Sequence, residues 1–136
     1  MLSVFQKKTM ATDEQIEQEI QSKGKTAARV TPADIEANIA SEHYFTAGDG
    51  FAGALSISAD FVDLPDDERV IAAPPQLDLL TFCVLVLRNG FTVTGESACA
   101  SPENFDAEIG RKIARQNAVQ KIWPLMGYEL RTKLAA

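Results

Sequence analysis

Apolar positions along this chain fall into three rhythms, and each predicts a different kind of element. In "ATDEQIEQEIQSKGKTAAR" only Ile16 and Ile20 recur at helical spacing, with Thr12 placed as N-cap, Gln15 at the third helical position and Gly24 as a stop. That stripe is too thin to bury much, so a weak, mostly polar helix is expected here. "VTPADIEANIASEHYF" opens with stronger signals: Thr31 as N-cap, Pro32 in the first turn and Asp34 in the capping-box position. Ile35 and Ile39 then share a face with His43 a turn further on, which predicts a helix from Pro32 to Tyr44 or Phe45.

The pattern breaks between Thr46 and Gln76. Glycines, prolines and the acidic run "DLPDDE" predict a long loop, with "ALSIS" and "RVIAA" as its only strand-like pieces. A near-continuous apolar run follows, "LLTFCVLVL", then Asn89-Gly90, then "FTVTGES". This reads as a hairpin on a two-residue type I′ turn, with Val86 opposite Val93 and Leu87 opposite Thr92. Phe82, Val84, Val86, Phe91 and Val93 would share one face, and Cys83, Leu85, Leu87, Thr92, Thr94 and Glu96 the other. A strand apolar on both faces needs cover on both sides, from a second layer or a partner subunit. In "SPENFDAEIGRKIARQNAVQKIW", Ser101 and Pro102 open the main helix. Phe105, Ile109, Ile113 and Trp123 form its expected core stripe, beside a small-residue stripe of Ala107, Gly110, Ala114 and Ala118. Pro124 should end or kink it, leaving a short terminal helix after Gly127.

These elements assemble into an α+β fold: a small antiparallel sheet centred on a β-hairpin, packed by a long C-terminal helix, with N-terminal helices. Residues 1–30 are expected as a flexible leader and weak helix, and residues 31–136 as one domain with a long loop at 46–76. A chain of 136 residues with 46% apolar composition fits one core-forming domain. No apolar run approaches the roughly 20 residues of a membrane span, and the start of the chain lacks a secretory pattern, so a cytosolic protein is expected. Cys83 and Cys99 have neither metal spacing nor scaffold density, which makes reduced thiols the default. The net charge is -6, and residues 101–136 hold six Lys/Arg against four Asp/Glu, so the basic end is the C-terminal one. An acidic chain repels polyanions, which argues against general DNA or RNA binding but not against a small anion held by local arginines.

Chemistry is sparse. Arg111 and Arg115 are one turn apart and could clamp a phosphate with two guanidinium forks, although an ordinary solvated face with Glu108 pairing to Arg111 or Lys112 satisfies the same spacing. Thr92, Thr94, Glu96 and Ser97 could contact ribose or base, or simply face solvent. Gly95 permits close backbone approach, to a ligand or at a bulge. His43 stands without metal-spaced partners, and the serines show no histidine partner near in sequence, so no catalytic residue, metal site or cofactor is expected.

The strings "NGFTVTGESAC", "NFDAEIGRKIA" and "IWPLMGY", in that order within 79–134, resemble the phage "gene product 49" family, and the upstream "VTPADIEANIASEHYFTAGDG" also resembles its longer members. The resemblance extends to the phage anti-Thoeris sponges, which sequester immune signalling nucleotides without cleaving them. It implies a non-enzymatic phage protein in the host cytoplasm that binds cyclic ADP-ribose isomers or, as in related sponges, cyclic di- or trinucleotides. It further implies that Arg111 and Arg115 contact the ligand, with Thr92, Thr94 and Glu96 of the hairpin as secondary candidates. The two-sided apolar strand and the Gly/Ala stripe motivate a homodimer or dimer-built hexamer, and Phe82, Phe91 or Trp123 is the aromatic expected to stack on the ligand's rings. The alternative is a phage accessory protein that binds and inhibits a host protein. A small nucleotide hydrolase is a third reading.

Overall fold

The computed structural model describes residues 11–136; the expected frayed leader over the first ten residues lies outside them. Helix α1 (Asp13–Ser22) starts at a Thr12/Gln15 capping box, as its sequence predicts. No α1 residue is buried. It is fastened by polar contacts, with Asp13 accepting from Trp123 Nε1 at 3.2 Å and Glu17 gripping Arg29. Gly24 follows in the left-handed region at φ 69°, the stop its position implied.

Helix α2 (Pro32–Ala37) carries the Thr31/Asp34 capping box but stops after six residues, with Asn38 as C-cap. The expected continuation to Tyr44 is wrong: Ile39–Thr46 is strand β1, and His43 lies on it rather than on a helix face. The four-residue spacing of Ile35 and Ile39 imitated a helix, whereas pairing with a distant strand decided the outcome. The 46–76 segment is also not a long loop. Thr46 and Asp49 form a third capping box that starts helix α3 (Ala47–Ser56), followed by the short α4 (Ala59–Val62) and two 3-10 turns, and neither expected strand piece forms.

Strands β2 (Leu80–Leu87) and β3 (Thr92–Ala98) complete an antiparallel sheet in the order β1-β2-β3. The fold is thus α+β, as the sequence indicated. The hairpin differs from its expectation by one residue. Leu87 N donates to Phe91 O, so Arg88, Asn89 and Gly90 form a three-residue loop, and only Gly90 has positive φ, at 89°. Val86 therefore opposes Thr92, and Leu85 opposes Val93. The slip exchanges faces: Val93 and Gly95 join Cys83 and Leu85, while Thr92, Thr94 and Glu96 join Phe82, Val84 and Val86. Arg88 also ties the hairpin to the end of α2, its backbone N–H donating to Asn38 O at 3.0 Å and its side chain to Ala37 O.

Helix α5 spans Ala107–Ala135, 29 residues, capped by Asp106 rather than Ser101; Pro102–Asn104 is a separate 3-10 turn. Pro124 lies inside it without ending it, so the separate terminal helix does not form. The buried face is the small-residue one, Gly110, Ala114, Ala118 and Ile122, whereas Ile109 and Ile113 are exposed and Trp123 is half-buried at the core margin. Gly95 explains the inversion. A Cβ there would sit 2.1 Å from Ala114 O and 2.2 Å from Ala118 N, so helix and strand backbones touch and only small residues fit between them. The close approach that this glycine and the alanine stripe permit is thus made within the chain. The core comprises Ile35, Cys83, Leu85, Leu87, Val93 and that helix face. On the opposite side of β2, Phe82, Val84 and Val86 are only half-buried.

Candidate functional site

Helical period puts Arg111 and Arg115 on one flank of α5, beside the buried Gly110-Ala114 stripe. Their surroundings differ. Arg115 Nη1 and Nη2 donate to the two carboxylate oxygens of Glu36 at 3.1 and 2.8 Å, and Nε donates to Glu42 Oε2 at 3.0 Å. The other Glu42 oxygen accepts from the Tyr44 hydroxyl at 2.9 Å. This links α5, α2 and β1 through charge-assisted bonds. Hydrogen bonding to Arg115 holds the Glu36 carboxyl below its usual value, and Glu36 in turn raises Arg115. Burial, then the Glu42 bond, pushes the Tyr44 phenol up, and burial raises the Cys83 thiol.

A carboxyl lowered in the folded state adds stability above its unfolded value, and that stability fades as pH falls through the folded value. The melting-temperature gap between the wild type and Glu36→Gln should therefore be widest near neutrality and narrow as the pH falls below the ordinary carboxylate range. A gap independent of pH would show that the Glu36 charge contributes nothing to folding.

Arg111 is exposed and makes no ion pair or hydrogen bond with another described residue. Of the two expected partners of Glu108, it is Lys112 that pairs with it, at 3.3 Å. Arg111 lines a cleft of about 110 Å³ together with Tyr44, Phe45, Thr46, Asp49 and Phe105. A second cleft of about 120 Å³ lies between the end of β3 and the start of α5, along Leu79, Ser97, Cys99, Phe105 and Ile109. Thr81 lines both, and its hydroxyl is buried without a partner among the described residues. Gly110 passes directly over it: a Cβ there would lie 3.1 Å from Thr81 Oγ1.

The expected site residues divide between two surfaces. Arg111 and Arg115 are on the side of the sheet that α5 covers, whereas Phe82, Thr92, Thr94 and Glu96 share the opposite face. Phe91 is 56% exposed beside the hairpin loop. Phe82 packs against Phe45 with ring centroids 5.7 Å apart, and Thr94 donates to Glu96 at 3.3 Å. A serine does meet the histidine: Ser41 Oγ lies 3.0 Å from His43 Nε2 on exposed β1, contrary to expectation. Two-residue spacing on a strand would have revealed that pair. The helix expected over residues 32–45 hides Glu36 and Glu42 as partners of Arg115 and Tyr44 as the partner of Glu42; the alternation of Glu42 and Tyr44 is the signal that a strand reading of β1 would supply. Cys83 and Cys99 are free thiols. Among the described residues no cluster of three His, Cys, Asp or Glu could hold a metal, and no helix is long and apolar enough to cross a membrane.

No curated protein and no solved structure matches the chain. A family model does, over residues 30–134, which takes in everything from α2 to nearly the end of α5 and leaves α1 outside. The chain belongs to the Phage protein (N4 Gp49/phage Sf6 gene 66) family.

Proposed function

We propose that this phage-family protein is an anti-defence sponge, binding an immune signalling nucleotide of the cyclic ADP-ribose or cyclic oligonucleotide class and holding it uncleaved in the host cytoplasm. The observation that carries the reading is Arg111, a cation free of partners among the described residues, at the mouth of a cleft walled by Tyr44, Phe45 and Phe105. A guanidinium can take a phosphate through paired charge-assisted bonds, and the Tyr44 and Phe105 rings lining the same cleft suit a base or ribose. The cleft, at about 110 Å³, matches a phosphate group rather than a whole nucleotide, since small-molecule sites usually run to roughly 300–1,000 Å³. The rest of the ligand then lies against a second copy, in a homodimer or dimer-built hexamer.

Thermal shift against cyclic ADP-ribose isomers and cyclic di- and trinucleotides tests this, with chromatography of the ligand released on denaturation. A ligand at about 100 times its dissociation constant adds about 2.7 kcal/mol to the native state. The wild type should show such a shift and return the ligand intact. Arg111→Ala should melt at the wild-type temperature without ligand and bind at least about tenfold more weakly, since charged hydrogen bonds contribute about 1.5–3 kcal/mol. Equal binding by Arg111→Ala would remove the site, and a cleaved product would make the protein a hydrolase.

The host-protein reading has its own support in the exposed apolar side chains of the 47–79 segment. Ile57 is 82% and Val70 70% exposed, amid Asp60, Asp63, Asp66, Asp67 and Glu68. No shift with any nucleotide, together with a host protein retained by the wild type and lost on Ile57→Glu, would favour it.

A further inference from the structure

A guanidinium has five N–H donors arranged around three edges of a plane. In Arg115 the outer fork, formed by Nη1 and Nη2, is closed by both oxygens of Glu36, and Nε is engaged by Glu42. The two N–H groups left over lie on different edges and cannot form a second fork. Arg115 therefore cannot grip a phosphate bidentately as the molecule stands, whereas Arg111 one turn away can. Glu36 is a suitable group to leave: its side chain is 56% exposed and sits on a six-residue helix at the fold's margin. Glu42 is less free, because its second oxygen also takes the Tyr44 hydroxyl, and Tyr44 itself lines the Arg111 cleft.

We infer that Glu36 is a built-in competitor for the ligand's phosphate: it occupies the Arg115 fork until a phosphate seated on Arg111 displaces it, while Glu42, braced by Tyr44, keeps the guanidinium aimed. This rests on the nucleotide-binding reading of the Arg111 cleft and adds a regulatory step to it. Glu36 acts here as a positioning residue. Its displacement removes the ion pair between α2 and α5 and leaves Ile35 packed in the core, so phosphate binding on one helix is felt on another.

The probes are cyclic ADP-ribose and inorganic pyrophosphate, titrated calorimetrically into the wild type, Glu36→Gln and Arg111→Ala. Removing the competing charge should tighten binding about tenfold in Glu36→Gln, and it should do so in a protein whose melting curve remains cooperative. Amide hydrogen exchange supplies a readout that needs no substitution: in the wild type, α2 amides should exchange faster with probe bound, while those of β2 should not. Wild-type binding that Glu36→Gln leaves unchanged or weakens, or unchanged α2 exchange on binding, overturns the competitor role and leaves the nucleotide reading standing. Binding by neither the wild type nor Glu36→Gln overturns both. Binding by Glu36→Gln alone supports the competitor role in its strongest form.

Discussion

Gly95→Ala is expected to cost about 3 kcal/mol of folding stability, the upper end for overpacking, and to lower the melting temperature by roughly 10 °C. The added methyl has no space. It would sit 2.1 Å from Ala114 O and 2.2 Å from Ala118 N, both backbone atoms of a helix in contact with two strands, so relief requires moving α5 as a body. Gly127→Ala is the control. It lies in the same helix with nothing within 4 Å of its Cβ position, so it should be neutral or gain up to about 1 kcal/mol from helix propensity. Urea unfolding of both measures the contrast. A Gly95→Ala midpoint equal to that of wild type would mean that α5 is not seated on β3.

The second large effect belongs to Leu85. It is 0% exposed in the central strand, under α5 and between Glu42 on β1 and Val93 on β3. Leu85→Ala should cost about 2–5 kcal/mol, combining lost burial with the cavity left behind. Val86→Ala, one residue on but facing the half-buried side, should cost about 1 kcal/mol. This pair tests which face of β2 is covered, because neighbours on a strand point to opposite faces. Comparable losses at both positions would indicate a second layer over the open face of the sheet.

How much of this was legible depended on whether a signal was local. Thr12 with Gln15 and Thr31 with Asp34 announced helix starts correctly, because a capping box closes within four residues. Thr46 with Asp49 forms the same motif, masked in the sequence by the glycines of "AGDGFAGAL" that signal a loop. Strand β1 was read as helix because its partner lies some forty residues away, as in the pairing of Phe45 with Phe82. Facing on α5 failed for a different reason. Bulk usually marks the core, but the Gly95 contact reserves this interface for glycine and alanine and moves Ile109 and Ile113 outward. At the site, the spacing of Arg111 and Arg115 was visible, whereas the anions that distinguish them were not. Glu36 and Glu42 lie 79 and 73 positions from Arg115 in sequence. No helical or strand period reports such a separation.

Arg88, the extra residue of the hairpin loop, bears on how far α2 can travel. It holds Ala37 and Asn38 at the C-terminal end of that helix, while Arg115 holds Glu36. Loss of the second attachment leaves the first in place. With Ala37 and Asn38 tethered and Ile35 seated in the core, the motion open to Glu36 is a swing of its side chain rather than an escape of α2 into solvent. Were an anion to displace Glu36 as proposed, these tethers would keep its side chain within reach of the same guanidinium, so the ion pair would re-form on release without refolding.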